Sequence, residues 1–255
     1  MSSAPPRLRA LLWDVDGTVA ETERDGHRVA FNQAFEALGL PWRWSVAHYG
    51  ELLRVAGGIE RLHHDLAQRP EAPTDAQARE QLVRALHRAK TAAYTARVAQ
   101  GAVHARPGVL RLVAECQAAG VALAVVTTTS RANVDALFAS LWGAAWAGAF
   151  ATIVCAEDAP LKKPHPQAYL LALQRLGLHA GDTFALEDSP AGLQAARAAG
   201  VACGITPGVY FGDEAFGGAA WVQPDLDTPQ PMTLARLQAA LGGSITPSCQ
   251  SGASR

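Results

Sequence analysis

Apolar and polar positions change period along the chain, and the changes divide it into segments. Residues 8–13 are mostly apolar and end at Trp13; Asp14, Val15, Asp16, Gly17 and Thr18 follow. A short apolar run closed by a turn residue predicts a buried strand. Val29, Phe31, Ala34, Phe35 and Leu38 then fall at helical spacing, with Gly39 as the stop. Ser45 is placed to cap a short helix through Leu53, residues 55–58 are a break, residues 59–66 are helical, and residues 70–73 are a loop. The longest predicted helix runs from Asp75 to Val98, with an apolar stripe at Leu82, Leu86, Ala89 and Ala93.

Beyond residue 101 the pattern alternates. Arg106, Pro107 and Gly108 open a helix through Ala119, and residues 121–126 are a continuous apolar run, the mark of a strand buried on both faces. A helix through Leu141, a strand over 150–155, a helix over 167–176 and a strand over 183–186 follow, then a helix to Ala199 and a strand over 201–205. This alternation predicts an α/β fold, a doubly wound parallel sheet with right-handed crossovers, interrupted by an inserted all-helical block. The expected division is an α/β core of residues 1–23 and 102–245, a helical cap of residues 24–101, and a small, polar, disordered tail of residues 246–255.

Composition narrows the function. The 255 residues are 49% hydrophobic with a net charge of -1, so a sizeable core is available and no basic surplus points to nucleic acid. No apolar stretch approaches the ~20 residues of a membrane span, and residues 1–9 lack the apolar core of a signal peptide. A cytoplasmic protein with a small-molecule partner is expected, possible as a monomer, or a plastid stromal one if a transit peptide was removed. Cys116, Cys155, Cys203 and Cys249 form no CxxC pair; the first three have apolar surroundings and read as buried thiols.

The candidate chemistry lies at strand ends, where open α/β sheets place their sites. Positions i and i+2 of a strand project to one side, so Asp14 and Asp16 can converge and favour a bound cation or a shared proton. The same Asp16 and Gly17 are also ordinary turn chemistry. A calcium loop would need a further oxygen ligand and a closing Glu where Val19 and Ala20 stand. Thr127 and Thr128 end the second strand before a helix that Ser130 could simply cap. Lys163 precedes Pro164; singly it reads as a surface lysine or as a cation for anionic oxygens. Glu187 and Asp188 end a strand, and two acids there are costly without a cation, although Ser189 and Pro190 also fit a helix start. His63 and His64 are adjacent on a helix and point apart, so no metal pair is expected, and Trp42 and Trp44 read as packing residues.

Taken in order, Asp14-x-Asp16, Thr127, Lys163 before Pro164, and Glu187-Asp188 resemble the four motifs of the haloacid dehalogenase superfamily of phosphotransferases. The resemblance covers residues 8 to about 210, and the helical block occupies the position of that family's helical cap. It implies Asp14 as nucleophile, Asp16 as general acid and base, and Thr127 and Lys163 as binders of the transferring phosphoryl group. It also implies Mg2+ at Asp14, the Asp16 backbone carbonyl, Glu187 and Asp188.

The run Thr127 to Ser130 with Asn133, together with cap segments around Glu23, His27, Gly57, Gly58, Glu60, Arg61 and His87, resembles the CbbY-type phosphatases of the Calvin cycle. That implies a xylulose 1,5-bisphosphate phosphatase in which Glu23 faces sugar hydroxyls while Arg61 and the Gly57 and Gly58 amides hold a distal phosphate. Two positions depart from the pattern: residues 24–26 add one residue before His27, and Ile59 stands where Lys is expected. A phosphomutase of the β-phosphoglucomutase kind and a catalytically silent sugar-phosphate-binding protein are the alternatives.

Overall fold

The computed structural model describes residues 7–242, and among them six strands form one sheet. These are β1 (Ala10–Trp13), β2 (Ala122–Val126), β3 (Thr152–Val154), β4 (Thr183–Glu187), β5 (Ala202–Ile205) and β6 (Trp221–Val222). All pairs are parallel, in the order β3-β2-β1-β4-β5-β6. Side chains alternate across each strand, so Leu11 and Trp13 enter one apolar layer while Ala10 and Leu12 enter the other.

The first layer is closed by α5 (Val109–Ala118), α6 (Arg131–Trp142) and α9 (Leu234–Leu241), through Leu112, Phe138 and Leu237 among others. The second is closed by α7 (Gln167–Leu176) and α8 (Pro190–Ala198), over the short side chains Ala10, Ala124 and Ala185. The chain crosses to opposite faces on either side of β1, so β1 and β4 border the topological switch point, where a crevice opens at their carboxyl ends. β6 and α9 are additional to the expected elements; the two residues of β6 carry no period, whereas α9 has Leu234, Leu237 and Leu241 at helical spacing.

Between β1 and β2 lie α1 (Arg28–Ala37), α2 (Val46–Leu52), α3 (Gly58–Leu66) and α4 (Ala76–Ala99). They gather an apolar cluster of their own around Phe31, Phe35, Trp44, Tyr49, Leu62 and Leu86, in which Phe31 and Phe35 lie 4.6 and 5.1 Å from the Trp44 ring. Trp42 and Trp44 pack, as their sequence context suggests. The separation from the sheet is incomplete. Ala30, Tyr94 and Val98 belong to the layer beneath α6, so the last turns of α4 pack with the core.

The same packing corrects the predicted stripe on α4. Its fully buried residues are Val83, Leu86, Lys90, Tyr94 and Val98, whereas Leu82, Ala89 and Ala93 flank them half-buried. The buried face is turned because α4 must serve both clusters.

A π-helical turn, Glu23–His27, leads into α1, with the Arg28 amide bonded to the Glu23 carbonyl. A π-turn holds about one residue more than an α-turn, and it falls on the segment where the sequence pattern led us to expect an additional residue before His27. Ser45 and Ser189 cap α2 and α8 as expected, accepting from His48 and Gly192 amides. Ser130 does not cap α6. The Glu157 carboxylate accepts from the Arg131 amide instead, at 3.1 to 3.2 Å, and a charged acceptor at a helix N-terminus is the stronger partner. Cys116, Cys155 and Cys203 are buried free thiols. Cys249 and the tail of residues 246–255 lie outside the described residues. No described helix is long and apolar enough to cross a membrane.

Candidate active site

Asp14 is the first residue beyond β1, and its amide continues the ladder to the Leu186 carbonyl of β4 at 3.1 Å. That register sets its carboxylate in the crevice beside the end of β4. Lys163 Nζ lies 2.7 Å from Asp14 Oδ1, 2.6 Å from Glu187 Oε1 and 2.8 Å from the Val126 carbonyl. The three protons of the ammonium therefore have three acceptors, from the ends of β1, β4 and β2. Burying such a pair costs less when every donor is matched. Thr18 donates to the other Asp14 oxygen at 3.1 Å, and Tyr169 donates to Glu187 Oε1 at 2.5 Å.

Burial pushes the Asp14 carboxyl up to about 7 against the pull of Lys163, with Glu187 and Asp16 adding to the rise. Burial also raises Asp188 well above the carboxylate range, reinforced by Asp14 and Glu187. For Lys163, burial favours loss of the proton, but the charges of Asp14 and Glu187 outweigh it and hold the ammonium above its ordinary value. The site thus concentrates more negative charge than its lysine neutralises.

That surplus is what a divalent cation would relieve. Carboxylate oxygens of Asp14, Glu187 and Asp188 lie within 4.8 Å of one another, all buried, and Glu187 Oε2 has no hydrogen-bond partner. Gly17, at φ 87°, and Gly208 make room for the Asp188 carboxylate, since a Cβ on either would run into Oδ2. A donor set of hard oxygens alone suits Mg2+. The Asp16 side chain is not part of this cluster, so only its backbone carbonyl is left for a cation.

Asp16 stands past the end of β1, and its carboxylate turns toward the helical block rather than toward Asp14. Thr22 Oγ1 donates to Oδ1 at 2.5 Å, and His27 Nε2 lies 2.8 Å from the same oxygen. Burial opposes ionisation of Asp16, but the charge and hydrogen bond of His27, the Thr22 bond and the Lys90 charge prevail and hold its carboxyl well below the usual range. The two carboxylates therefore share no proton, correcting one of the expectations from their spacing. His27 stacks on Tyr94 at 4.2 Å, and Lys90 sits 5.2 and 5.3 Å from the Tyr94 and Phe31 ring centres. Neither His27 nor Lys90 was assigned a role from sequence. The available signal was a lysine four residues from both Leu86 and Tyr94, on the apolar face of a helix.

A cavity of about 390 Å³ joins the two regions. Asp14, Asp16, Asp188, Lys163, Thr127 and Thr128 line its sheet side, and Glu23, Gly57 and Arg61 line the helical side. Gly58 and Glu187 do not line it; Gly58 faces Phe31 and His87, and Glu187 lies behind Lys163. Thr127 Oγ1 accepts from the Thr129 amide, and Asn133 donates to Thr129 Oγ1, fixing the loop after β2. On the far wall Arg61 donates to the Tyr49 hydroxyl at 2.9 Å and the Leu52 carbonyl at 3.2 Å, while Tyr49 donates to Glu23 at 2.5 Å.

Arg106 also went unread. It donates to the carbonyls of Gly17, Thr206, Pro207 and Pro224, tying the loop after Asp14 to those after β5 and β6. An arginine before Pro-Gly carries no sequence signal for such a role.

A parallel sheet with an aspartate, a lysine and an acidic pair converging at its switch point makes a site for an anionic group held against a carboxylate. Residues 8–200 match the model of the haloacid dehalogenase-like hydrolases, and the chain belongs to that family. Within it the chain is a CbbY-type phosphatase. It is 47% identical over 227 residues to the protein CbbY of Cupriavidus necator, spanning 88% of this chain and 89% of that one. It is 43% identical to CbbY of Rhodobacter capsulatus over 90% and 99% of the two chains. A crystal structure of a mutant CbbY from Rhodobacter sphaeroides in complex with xylulose 1,5-bisphosphate superposes with a TM-score of 0.83 at 39% identity, covering 90% of this chain and 99% of that one.

Proposed function

We propose that this phosphatase hydrolyses a sugar bisphosphate, xylulose 1,5-bisphosphate to xylulose 5-phosphate, by way of a phosphorylated Asp14. The observation that carries the reading is the Lys163 ammonium, 2.7 Å from Asp14, beside the buried acidic cluster. Asp14 attacks phosphorus as the bond to the sugar oxygen breaks, and that oxygen takes a proton from Asp16. Water then adds to phosphorus, frees Asp14 and returns a proton to Asp16. Thr127, Thr128 and Lys163 bind the phosphoryl oxygens, and the Lys163 charge is offered where negative charge builds up.

Asp14 and Asp188, with the Asp16 backbone carbonyl and Glu187, would hold Mg2+, which would supply further charge neutralisation for the phosphoryl group. As held by Thr22 and His27, Asp16 is in the ionised state that accepts a proton from water; to protonate the sugar it must already carry a proton, taken up from water in the preceding hydrolysis of phosphorylated Asp14, and turn from His27 toward the leaving oxygen. The helical block, residues 24–101, serves as a cap that excludes bulk water. On that side of the cavity Glu23, Gly57 and Arg61 receive the sugar, whereas Gly58 does not line it and Arg61 is engaged by Tyr49 and the Leu52 carbonyl, so neither is assigned the second phosphate.

A panel of phosphorylated sugars assayed for released phosphate tests the reading, with Asp14→Asn as control. Release from xylulose 1,5-bisphosphate at least tenfold faster than from hexose monophosphates is expected. Chelation should abolish it and Mg2+ restore it, and Asp14→Asn should lose at least about a thousandfold in kcat. Isomerised sugar phosphate without phosphate release would overturn it, as would full activity in excess chelator.

A further inference from the structure

Among the described residues three cations line the cavity, and only one of them is without a side-chain partner. Lys163 is held by Asp14, Glu187 and the Val126 carbonyl. Arg61 is buried, donates to Tyr49, Leu52 and Val55, and lies 3.9 Å from Glu23. Arg54, in the loop after α2, also lines the cavity, and it is exposed. Among the described residues its guanidinium makes no hydrogen bond or ion pair. Ile59 is 40% exposed and does not line the cavity, so the position where a lysine was expected contributes no charge to it.

A phosphate at the far end of a bound sugar bisphosphate carries close to two negative charges. It must find a cation there or remain hydrated at the mouth. Glu23 and Glu214 also line the cavity, which makes an uncompensated phosphate still less favourable. We propose that Arg54 binds the distal phosphate and sets the preference for bisphosphorylated over monophosphorylated sugars, replacing the cation that Ile59 does not supply. This rests on the sugar-bisphosphate reading above and adds the residue that discriminates between the two substrate classes. The planar fork of an arginine suits two phosphate oxygens at once.

The test is the ratio of kcat/KM for xylulose 1,5-bisphosphate to that for xylulose 1-phosphate. Arg54→Gln should lower the ratio about tenfold, Arg54→Glu should lower it further, and Arg54→Lys should keep it within about threefold of wild type. An unchanged ratio in Arg54→Gln overturns the proposal, as does an Arg54→Glu ratio equal to wild type. Calorimetric titration of both sugars into Asp14→Asn, with and without Arg54→Gln, reads the same preference as a ratio of Kd values without any turnover. Failure of the wild-type chain to release phosphate would therefore count against the hydrolytic reading alone, while an unchanged Kd ratio would count against Arg54.

Discussion

His27 Nε2 lies 2.8 Å from Asp16 Oδ1, and this contact joins the π-turn at the start of the helical block to the acid that follows β1. The Thr22 hydroxyl holds the same oxygen, and Tyr94 stacks on the imidazole from the far side, 25° from parallel. Asp16 is thus oriented by residues outside the sheet, whereas Asp14 is oriented by the sheet itself.

Removal of the imidazole should separate the two acids functionally. His27→Ala is expected to lower kcat about 10- to 100-fold with a smaller effect on KM, because proton transfer by Asp16 is impaired while Asp14 and Lys163 stay in place. His27 is a main cause of the depressed Asp16 carboxyl, so its loss should let that carboxyl rise toward ordinary values. The acid limb of the kcat profile is set by the higher Asp14 carboxyl at about 7 and should stay in place, while the rise of the Asp16 carboxyl is read directly by NMR titration of its side chain. His27→Gln, which keeps a donor, should recover part of the rate. A His27→Ala enzyme with unchanged kcat, a raised KM and an unshifted Asp16 carboxyl would show that the contact is structural only.

Lys90 gives a stability prediction with a definite sign. Burial drives its ammonium from 10.5 down to about 8, despite the favourable charges of Asp16 and Glu23. Between about pH 8 and 10.5 the folded chain binds fewer protons than the unfolded one, so this residue makes stability rise with pH across that window. Below about pH 8 its destabilising effect is complete. Lys90→Met, which fills the place between Phe31 and Tyr94 without a charge, should raise stability at pH 7 by roughly 1 to 3 kcal/mol. The gain should shrink near pH 10, and activity should fall. Denaturant unfolding at both pH values checks this, and an equal gain at both would refute it.

The sheet and its acids were legible because each motif follows a strand short enough to read as one apolar run. Asp14, Thr127, Lys163 and Asp188 each had an ordinary reading taken singly, and it was their order along the chain, resembling the four motifs of the haloacid dehalogenase family, that singled them out. The orientation of Asp16 was not legible, since His27 lies on a turn whose extra residue could be counted but not converted into a direction. Lys90 and Arg106 act over long sequence separations, through packing that no local pattern encodes. Ser130 illustrates the converse: its context was right for a cap, but Glu157 from the loop after β3 reaches the helix end first.

Arg61 combines support and recognition, and its removal should show both. The guanidinium bridges the Tyr49 hydroxyl, the Leu52 carbonyl and the Val55 carbonyl, closing the loop between α2 and α3 over the cavity. Arg61→Ala leaves the buried Leu52 carbonyl and the half-buried Val55 carbonyl without this donor and frees the Tyr49 ring that presents its hydroxyl to Glu23. A cost of about 2 to 4 kcal/mol in stability is expected from the unmatched acceptors and the lost packing. Arg61→Lys should recover less than half, because a single ammonium cannot serve three acceptors spread around a planar fork. In kinetics Arg61→Ala should raise KM for monophosphates and bisphosphates alike, since Glu23 loses its alignment for every sugar. This contrasts with Arg54, where the change lies in the ratio between the two. Thermal unfolding measured beside both KM values separates the cases: an Arg61→Ala chain of wild-type Tm, with only bisphosphate binding weakened, would make Arg61 a phosphate ligand rather than a support of the wall.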